Sequence, residues 1–107
     1  MLESDRRSRI FKRDKFRCVY CDTVFPDADL TLDHVQPRVK GGDHSDGNLV
    51  TCCKSCNTLK AGQAAWSFLA GDREKRENFL KNAADVWPRI KRAIEEEAKR
   101  QERSRPK

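Results

Sequence analysis

Two C-x-x-C knuckles, Cys18-Val19-Tyr20-Cys21 and Cys53-Lys54-Ser55-Cys56, stand 31 residues apart in a chain of 107. Two such pairs can close a tetrahedral four-cysteine shell around Zn²⁺. A single pair would equally suit a thiol redox protein. Two pairs in so short a chain favour structural zinc, with disulfide or redox use as the remaining alternatives. The composition explains why a staple is needed. Hydrophobic residues make up 36% and charged residues 37%, and a chain this short buries only about 60–65% of its unfolded surface. Metal binding then supplies several kcal/mol of folding free energy. The fifth cysteine, Cys52, touches Cys53 in sequence. On a strand the two leave on opposite sides, so Cys53 takes the metal and Cys52 becomes a small buried apolar residue.

The length allows one domain, 1–107, and excludes a second full domain. No run approaches the about 20 apolar residues of a membrane span. Residues 1–7 carry charges with no hydrophobic stretch behind them, so we expect no secretory signal and a cytoplasmic protein of bacterial or phage type. Net charge is +6. Residues 1–17 hold seven basic and three acidic groups, 18–71 four and six, and 72–107 twelve and eight. Two positive flanks around a slightly acidic centre suit a polyanion outside and a cation inside. The plain alternative is solvated helix faces.

Residues 1–17 form a basic segment that reads as helical, with Ile10, Phe11 and Phe16 docked and Arg6, Arg7, Arg9, Lys12, Arg13, Lys15 and Arg17 in water. Residues 30–35 alternate like a short strand, and Pro37 ends it. Residues 40–47 are a loop by composition, and 48–52 a return strand. Short helices are predicted over 54–60 and 63–70, with Gly62 and Gly71 after them. Asp72 can cap a third helix. Phe79, Ala83, Val86, Trp87, Ile90 and Ile94 keep a three-or-four spacing, which marks one apolar face. Pro88 forces a kink or a restart, and the charged tail from Gln101 is expected to fray. The whole reads as α+β.

The chemistry lies between the knuckles. Asp33-His34 ends the first strand, Asn48 opens the second, and Asn57 follows Cys56. A hydrolytic phosphodiesterase needs a base near neutral pKa, which His34 can supply. It needs a hard cation on oxygen ligands, which Asp33 and the Asn57 amide can share. Asn48 can fix the imidazole or the hairpin. Each residue also has a plain reading: a surface Asp–His pair, a turn asparagine, an Asn57 helix cap and a solvated Lys60.

The run Arg17-Cys18-Val19-Tyr20-Cys21, then residues 30–38, Gly41-Gly42, Asn48-Leu49-Val50 and residues 53–60 resembles the HNH endonucleases of the zinc-stapled kind. The resemblance covers about 10–62. It implies a small ββα-metal motif with a structural four-cysteine zinc site, flanked here by N-terminal and C-terminal helices. It makes His34 the general base, Asp33 and Asn57 ligands of the catalytic cation, and Asn48 the orienting residue. It gives the zinc to Cys18, Cys21, Cys53 and Cys56. Asn57 stands where many members carry a third His, so this chain is similar to the H-N-N variant, and the catalytic metal is left open among Mg²⁺, Mn²⁺, Ni²⁺ and Co²⁺. The implied activity is hydrolytic nicking or cleavage of DNA, double-stranded, leaving a 3′-hydroxyl and a 5′-phosphate. Arg38, Lys40 and Lys60 are candidates for flanking phosphates, and Arg9, Lys12 and Arg13 for background affinity. Residues 63–107 are a helical extension outside the resemblance.

In a regular strand Asp33 and His34 point to opposite faces. The strand must therefore end, bulge or twist at that point for both to serve one phosphate. The alternative function is a non-catalytic, zinc-stabilised module that binds nucleic acid, with Asp33, His34 and Asn57 serving structure alone.

Overall fold

The computed structural model describes residues 3–37 and 41–104, with side chains over 5–37 and 41–103. Its centre is an antiparallel hairpin. β1 (Leu30–His34) pairs with β2 (Leu49–Cys53), Leu30 opposite Cys53 and His34 opposite Leu49. The register is continuous through Asp33, so there is no bulge. The strand simply ends at His34, which is how two consecutive residues come to line one cleft. The alternation expected along β1 is not kept, because Asp33 is buried while Leu32 is only partly so. Both sides of this two-stranded sheet are covered, and all five residues of β2 are buried.

α1 (Glu3–Arg13) covers the free edge of β2. Ile10 and Phe11 are buried, as their apolar character requires. The edge itself needs donors and acceptors, since an unpaired buried backbone group is costly. Asp14 accepts from the Thr51 amide at 2.9 Å, and Val19 donates its own amide to the Thr51 carbonyl at 3.1 Å. Lys15 and Phe16, at φ 59° and 58°, then reverse the chain into the first knuckle.

β2 runs straight into α2 (Lys54–Lys60). Cys53 is both the last strand residue and the N-cap, its sulfur accepting from the Cys56 amide at 3.4 Å. The second knuckle is thus a strand-to-helix junction. α2 stops at Ala61, which takes φ 52°; the left-handed turn falls there rather than on Gly62. α3 (Ala65–Ala70), α4 (Arg73–Asn82) and α5 (Pro88–Ser104) complete the described chain. Asp72 caps α4, accepting from the Lys75 amide at 3.0 Å. Pro88 restarts the helix as its first residue, where its missing N–H costs nothing. Of the tail from Gln101, residues 101–104 continue α5, and 105–107 lie outside the described residues. Trp87 donates its amide to the Gly47 carbonyl at 3.0 Å, and a Cβ on Gly47 would lie 2.4 Å from the indole Nε1. Only glycine admits that approach.

One core joins these parts: Phe11, Tyr20, Leu30, Val50, Leu69, Phe79, Ile90 and Ile94 belong to a single buried cluster. The C-terminal helices therefore pack on the same core as the hairpin. No helix among the described residues is long and apolar enough to cross a membrane.

Candidate active site

The sulfur atoms of Cys18, Cys21, Cys53 and Cys56 lie within 4.8 Å of one another, with Cys21 and Cys53 at 3.9 Å. A tetrahedral shell with bonds of about 2.3 Å places sulfurs about 3.8 Å apart. The four-sulfur donor set and its spacing fit a metal such as zinc. The crowding shows in the thiols. Hydrogen bonds from Cys52 and Cys56 hold Cys18 below its ordinary value, while the Cys18 contact and burial push Cys56 up. Cys52 is buried outside the four, its thiol donating to the Cys53 carbonyl at 3.3 Å.

Farther along α2, where it lies over the end of β1, a cleft of about 320 Å³ is lined by Leu32, Asp33, His34, Pro37, Asn57, Lys60, Ala61 and Gly62. The strand end supplies Asp33 and His34 and α2 supplies Asn57, and the three share the cleft because α2 folds back over the end of β1, where Lys60 reaches Asp33 and His34. Asn57 is exposed. Asp33 is 6% exposed and is held from two directions. The Tyr20 hydroxyl donates to Oδ2 at 2.6 Å and the Lys60 ammonium to Oδ1 at 3.1 Å. Lys60 also donates to the His34 carbonyl at 3.2 Å. Burial pushes the Asp33 carboxyl above the usual range, outweighing the pull of Lys60 and Tyr20. Burial and the Asp33 charge push the Tyr20 phenol well up, so it remains a donor. His34 Nε2 lies 3.0 Å from Nδ1 of the exposed His44. One ring nitrogen must donate and the other accept.

Asn48 is fully buried and sits in a 3₁₀ turn, one residue before β2. Its Oδ1 accepts from the Gln36 amide at 2.8 Å, and its Nδ2 donates to the carbonyls of Gln36 (3.0 Å) and Asp43 (2.9 Å). It closes the long connection between the strands. A Cβ on Gly42 would lie 1.7 Å from the Gln36 oxygen, so the chain passes there as glycine.

Several of the basic residues are placed differently from the sequence expectation. Lys60 is 2% exposed and paired with Asp33, not presented to a flanking phosphate. Arg13 grips Asp14 at 2.9 and 3.1 Å and donates to the carbonyls of Leu49 (2.7 Å) and Asp46 (2.9 Å). It is part of the fold rather than a wet side chain. Arg7 reaches the Leu30 carbonyl at 2.7 Å, Arg17 that of Asp22 at 2.7 Å, and Arg9 pairs with Asp46 at 2.8 Å. Lys12 is exposed. Arg38 and Lys40 lie outside the described residues. Sequence reasoning missed Tyr20 as a partner of Asp33 and His44 as a partner of His34. A tyrosine inside a knuckle, in a core this poor in apolar groups, was the available signal for the first.

The HNH endonuclease family model matches residues 18–63. This segment is an HNH domain. The hairpin, the helix behind it and the four clustered cysteines are the parts of a ββα-metal architecture with a site that fits a metal such as zinc. Among solved structures, the Type II-C Cas9 enzyme from Actinomyces naeslundii is similar, with a TM-score of 0.64 and 20% identity over 87% of this chain and 11% of that one. The likeness extends the shared fold beyond the HNH segment, and this chain spans about a tenth of that enzyme's length. No curated protein matches the chain.

Around the HNH cleft the oxygen donors also suit a hard divalent ion. Among the described residues each Asp33 oxygen has one side-chain partner, and a carboxylate offers about four lone-pair sites. The Asn57 amide is exposed beside it.

Proposed function

We propose that residues 1–107 act as one metal-dependent DNA endonuclease domain, in which His34 activates water against a phosphodiester. The observation that carries this reading is the shared cleft, where a histidine, a buried carboxylate and an exposed amide line one hollow between the end of β1 and α2 within the segment that matches the HNH model. The core running from Phe11 to Ile94 supports a single domain. Zn²⁺ on Cys18, Cys21, Cys53 and Cys56 holds the junction closed.

Asp33 and the Asn57 amide would hold the catalytic ion, with Mg²⁺ or Mn²⁺ the best match to oxygen ligands. When bound, such an ion neutralises charge on the phosphate and leaving oxygen. The chain does the rest. His34 accepts the proton of the attacking water at Nε2, with the exposed His44 ring giving way to that water. Asn48 keeps the connection folded beneath His34 by tying Gln36, two residues on. Lys60 keeps Asp33 ionised and in place. The substrate is a DNA duplex whose flanking phosphates meet basic groups such as Lys12.

Divalent-metal-dependent nicking of supercoiled plasmid tests the reading. Zinc-loaded wild type should nick, and His34→Ala should lose about 10²–10⁴-fold, the worth of a general base. The Lys60–Asp33 pair favours one rival, a non-catalytic zinc module binding nucleic acid, since it gives Asp33 a structural role. Binding without nicking under Mg²⁺, Mn²⁺, Co²⁺ or Ni²⁺ would decide for the rival.

A further inference from the structure

We propose that Tyr20, which sits between the two cysteines of the first knuckle, is a positioning residue for Asp33 and couples the cysteine cluster to the catalytic carboxylate. The inference rests on the reading of Asp33 as a ligand of the catalytic ion.

Two donors fix the Asp33 carboxylate. Lys60 holds Oδ1 and the Tyr20 hydroxyl holds Oδ2 at 2.6 Å. Lys60 reaches in on a long flexible stem. Tyr20 is the rigid one. Its ring is fully buried, edge-on to Phe68 at 5.4 Å and stacked on Phe79 at 5.5 Å. Its carbonyl accepts from Asn78 Nδ2 at 3.0 Å. The preceding amide, Val19, is bonded to β2 through Thr51. The hydroxyl therefore has little freedom, and a short bond to it sets the plane of the carboxylate. Without it, Oδ2 loses its partner and the carboxylate can turn about its bond to Lys60.

The position in the chain supplies the coupling. Cys18 and Cys21 bracket Tyr20, so drawing their sulfurs onto one ion sets where the ring enters the core. The structural metal thus acts on the cleft through one side chain. Hydrogen bonds behind a metal ligand are worth about 10–100-fold in metal affinity or activity, which places Tyr20 among groups that matter without touching the ion.

The experiment uses the zinc-loaded full chain. Mn²⁺ affinity is measured by electron paramagnetic resonance for wild type, Tyr20→Phe, Asp33→Asn and Phe79→Leu. Tyr20→Phe keeps the ring and should weaken Mn²⁺ binding about tenfold or more, with a matching rise in the Mn²⁺ needed for half-maximal nicking. Phe79→Leu loosens the packing that steadies the same ring but keeps the hydroxyl, and should weaken Mn²⁺ binding by a clearly smaller factor than Tyr20→Phe. An unchanged affinity in Tyr20→Phe, or an equal loss in Phe79→Leu, overturns the proposal while wild type still nicks. If Asp33→Asn binds Mn²⁺ as wild type does, the reading of Asp33 as a ligand falls, and this inference with it. Tyr20 is the chain's one tyrosine, so fluorotyrosine labelling gives a single ¹⁹F resonance that does not depend on Tyr20→Phe folding. Mg²⁺ should shift that resonance in wild type and not in Asp33→Asn. A resonance unmoved by Mg²⁺ that calorimetry shows to be bound would also overturn the proposal.

Discussion

Lys60→Met cuts the most deeply placed ion pair among the described residues. The two side chains are 2% and 6% exposed and meet at 3.1 Å. The 0–1 kcal/mol of a solvent-exposed pair does not apply to them. Removing one partner of a buried pair leaves an uncompensated charge and costs about 3–5 kcal/mol. Methionine fills a similar volume, so the loss is electrostatic rather than a cavity. For a chain of this size the melting temperature should fall by at least about 12 °C. The sign with pH is also set. Asp33 is already raised above its ordinary value by burial, and without Lys60 it rises further. From about pH 4, the reference carboxylate value, the unfolded chain releases a proton that the folded chain keeps. Stability is therefore lost as pH rises through the folded-state pKa. Lys60→Met should sit closest to wild type in acid and fall furthest behind at neutral pH and above. Asp33→Asn in the Lys60→Met background removes the stranded charge and should recover about 2 kcal/mol. Urea and thermal melts of the zinc-loaded proteins across pH 4 to 8 measure all of this. A loss below about 1 kcal/mol, additive with Asp33→Asn, would refute the buried-pair reasoning.

Four further outcomes are expected. Cys56→Ser should lose metal stoichiometry and several kcal/mol of stability, whereas His34→Ala should keep both; metal analysis with a melt checks this. Asn57→Ala should remove most nicking, and Asn57→His should lose Mg²⁺-supported nicking more than Ni²⁺- or Co²⁺-supported nicking, because imidazole nitrogen favours later ions; an unchanged rank order would leave Asn57 as a helix residue alone. Lys12→Glu should weaken DNA binding and flatten its salt dependence in a protein of near-normal melting temperature, while Arg13→Glu should lower the melting temperature itself, since Arg13 holds Asp14 and two carbonyls. His44→Ala should nick at least as fast as wild type, because His44 occupies the nitrogen that water must reach; a fall approaching the about 10²-fold worth of a general base would make His44 a partner of His34 instead.

Local chemistry carried most of what was legible. The knuckle spacing announced the four sulfurs, because each C-x-x-C pair is set by local backbone, a turn for Cys18–Cys21 and a strand-to-helix junction for Cys53–Cys56. Asp72 as a cap and Pro88 as a first helical residue are equally local. The reading failed where the decisive partner is distant. Lys60 looked like a solvated lysine because its carboxylate lies 27 residues away, and it is buried only because α2 folds back over β1. Arg13 belonged to a charge run that reads as wet, yet it closes the edge of β2, 36 residues on. Asp33 broke the period-two pattern for the same reason: a polar residue was placed inward to meet Tyr20 and Lys60. Ala61 took the left-handed turn offered to its glycine neighbour, which no propensity ranks first.

The close passage of Gly47 against Trp87 bears on anyone who would excise this motif for use in another scaffold. The segment shared with other HNH proteins stops at residue 63, but the indole that covers its hairpin connection arrives from residue 87, and the aromatic walls around Tyr20 come from Phe68 and Phe79. A peptide cut at the family boundary would carry every cysteine and every cleft residue yet expose the underside of both. A graft would have to bring at least the chain through Ile94, or supply a substitute surface shaped to a glycine.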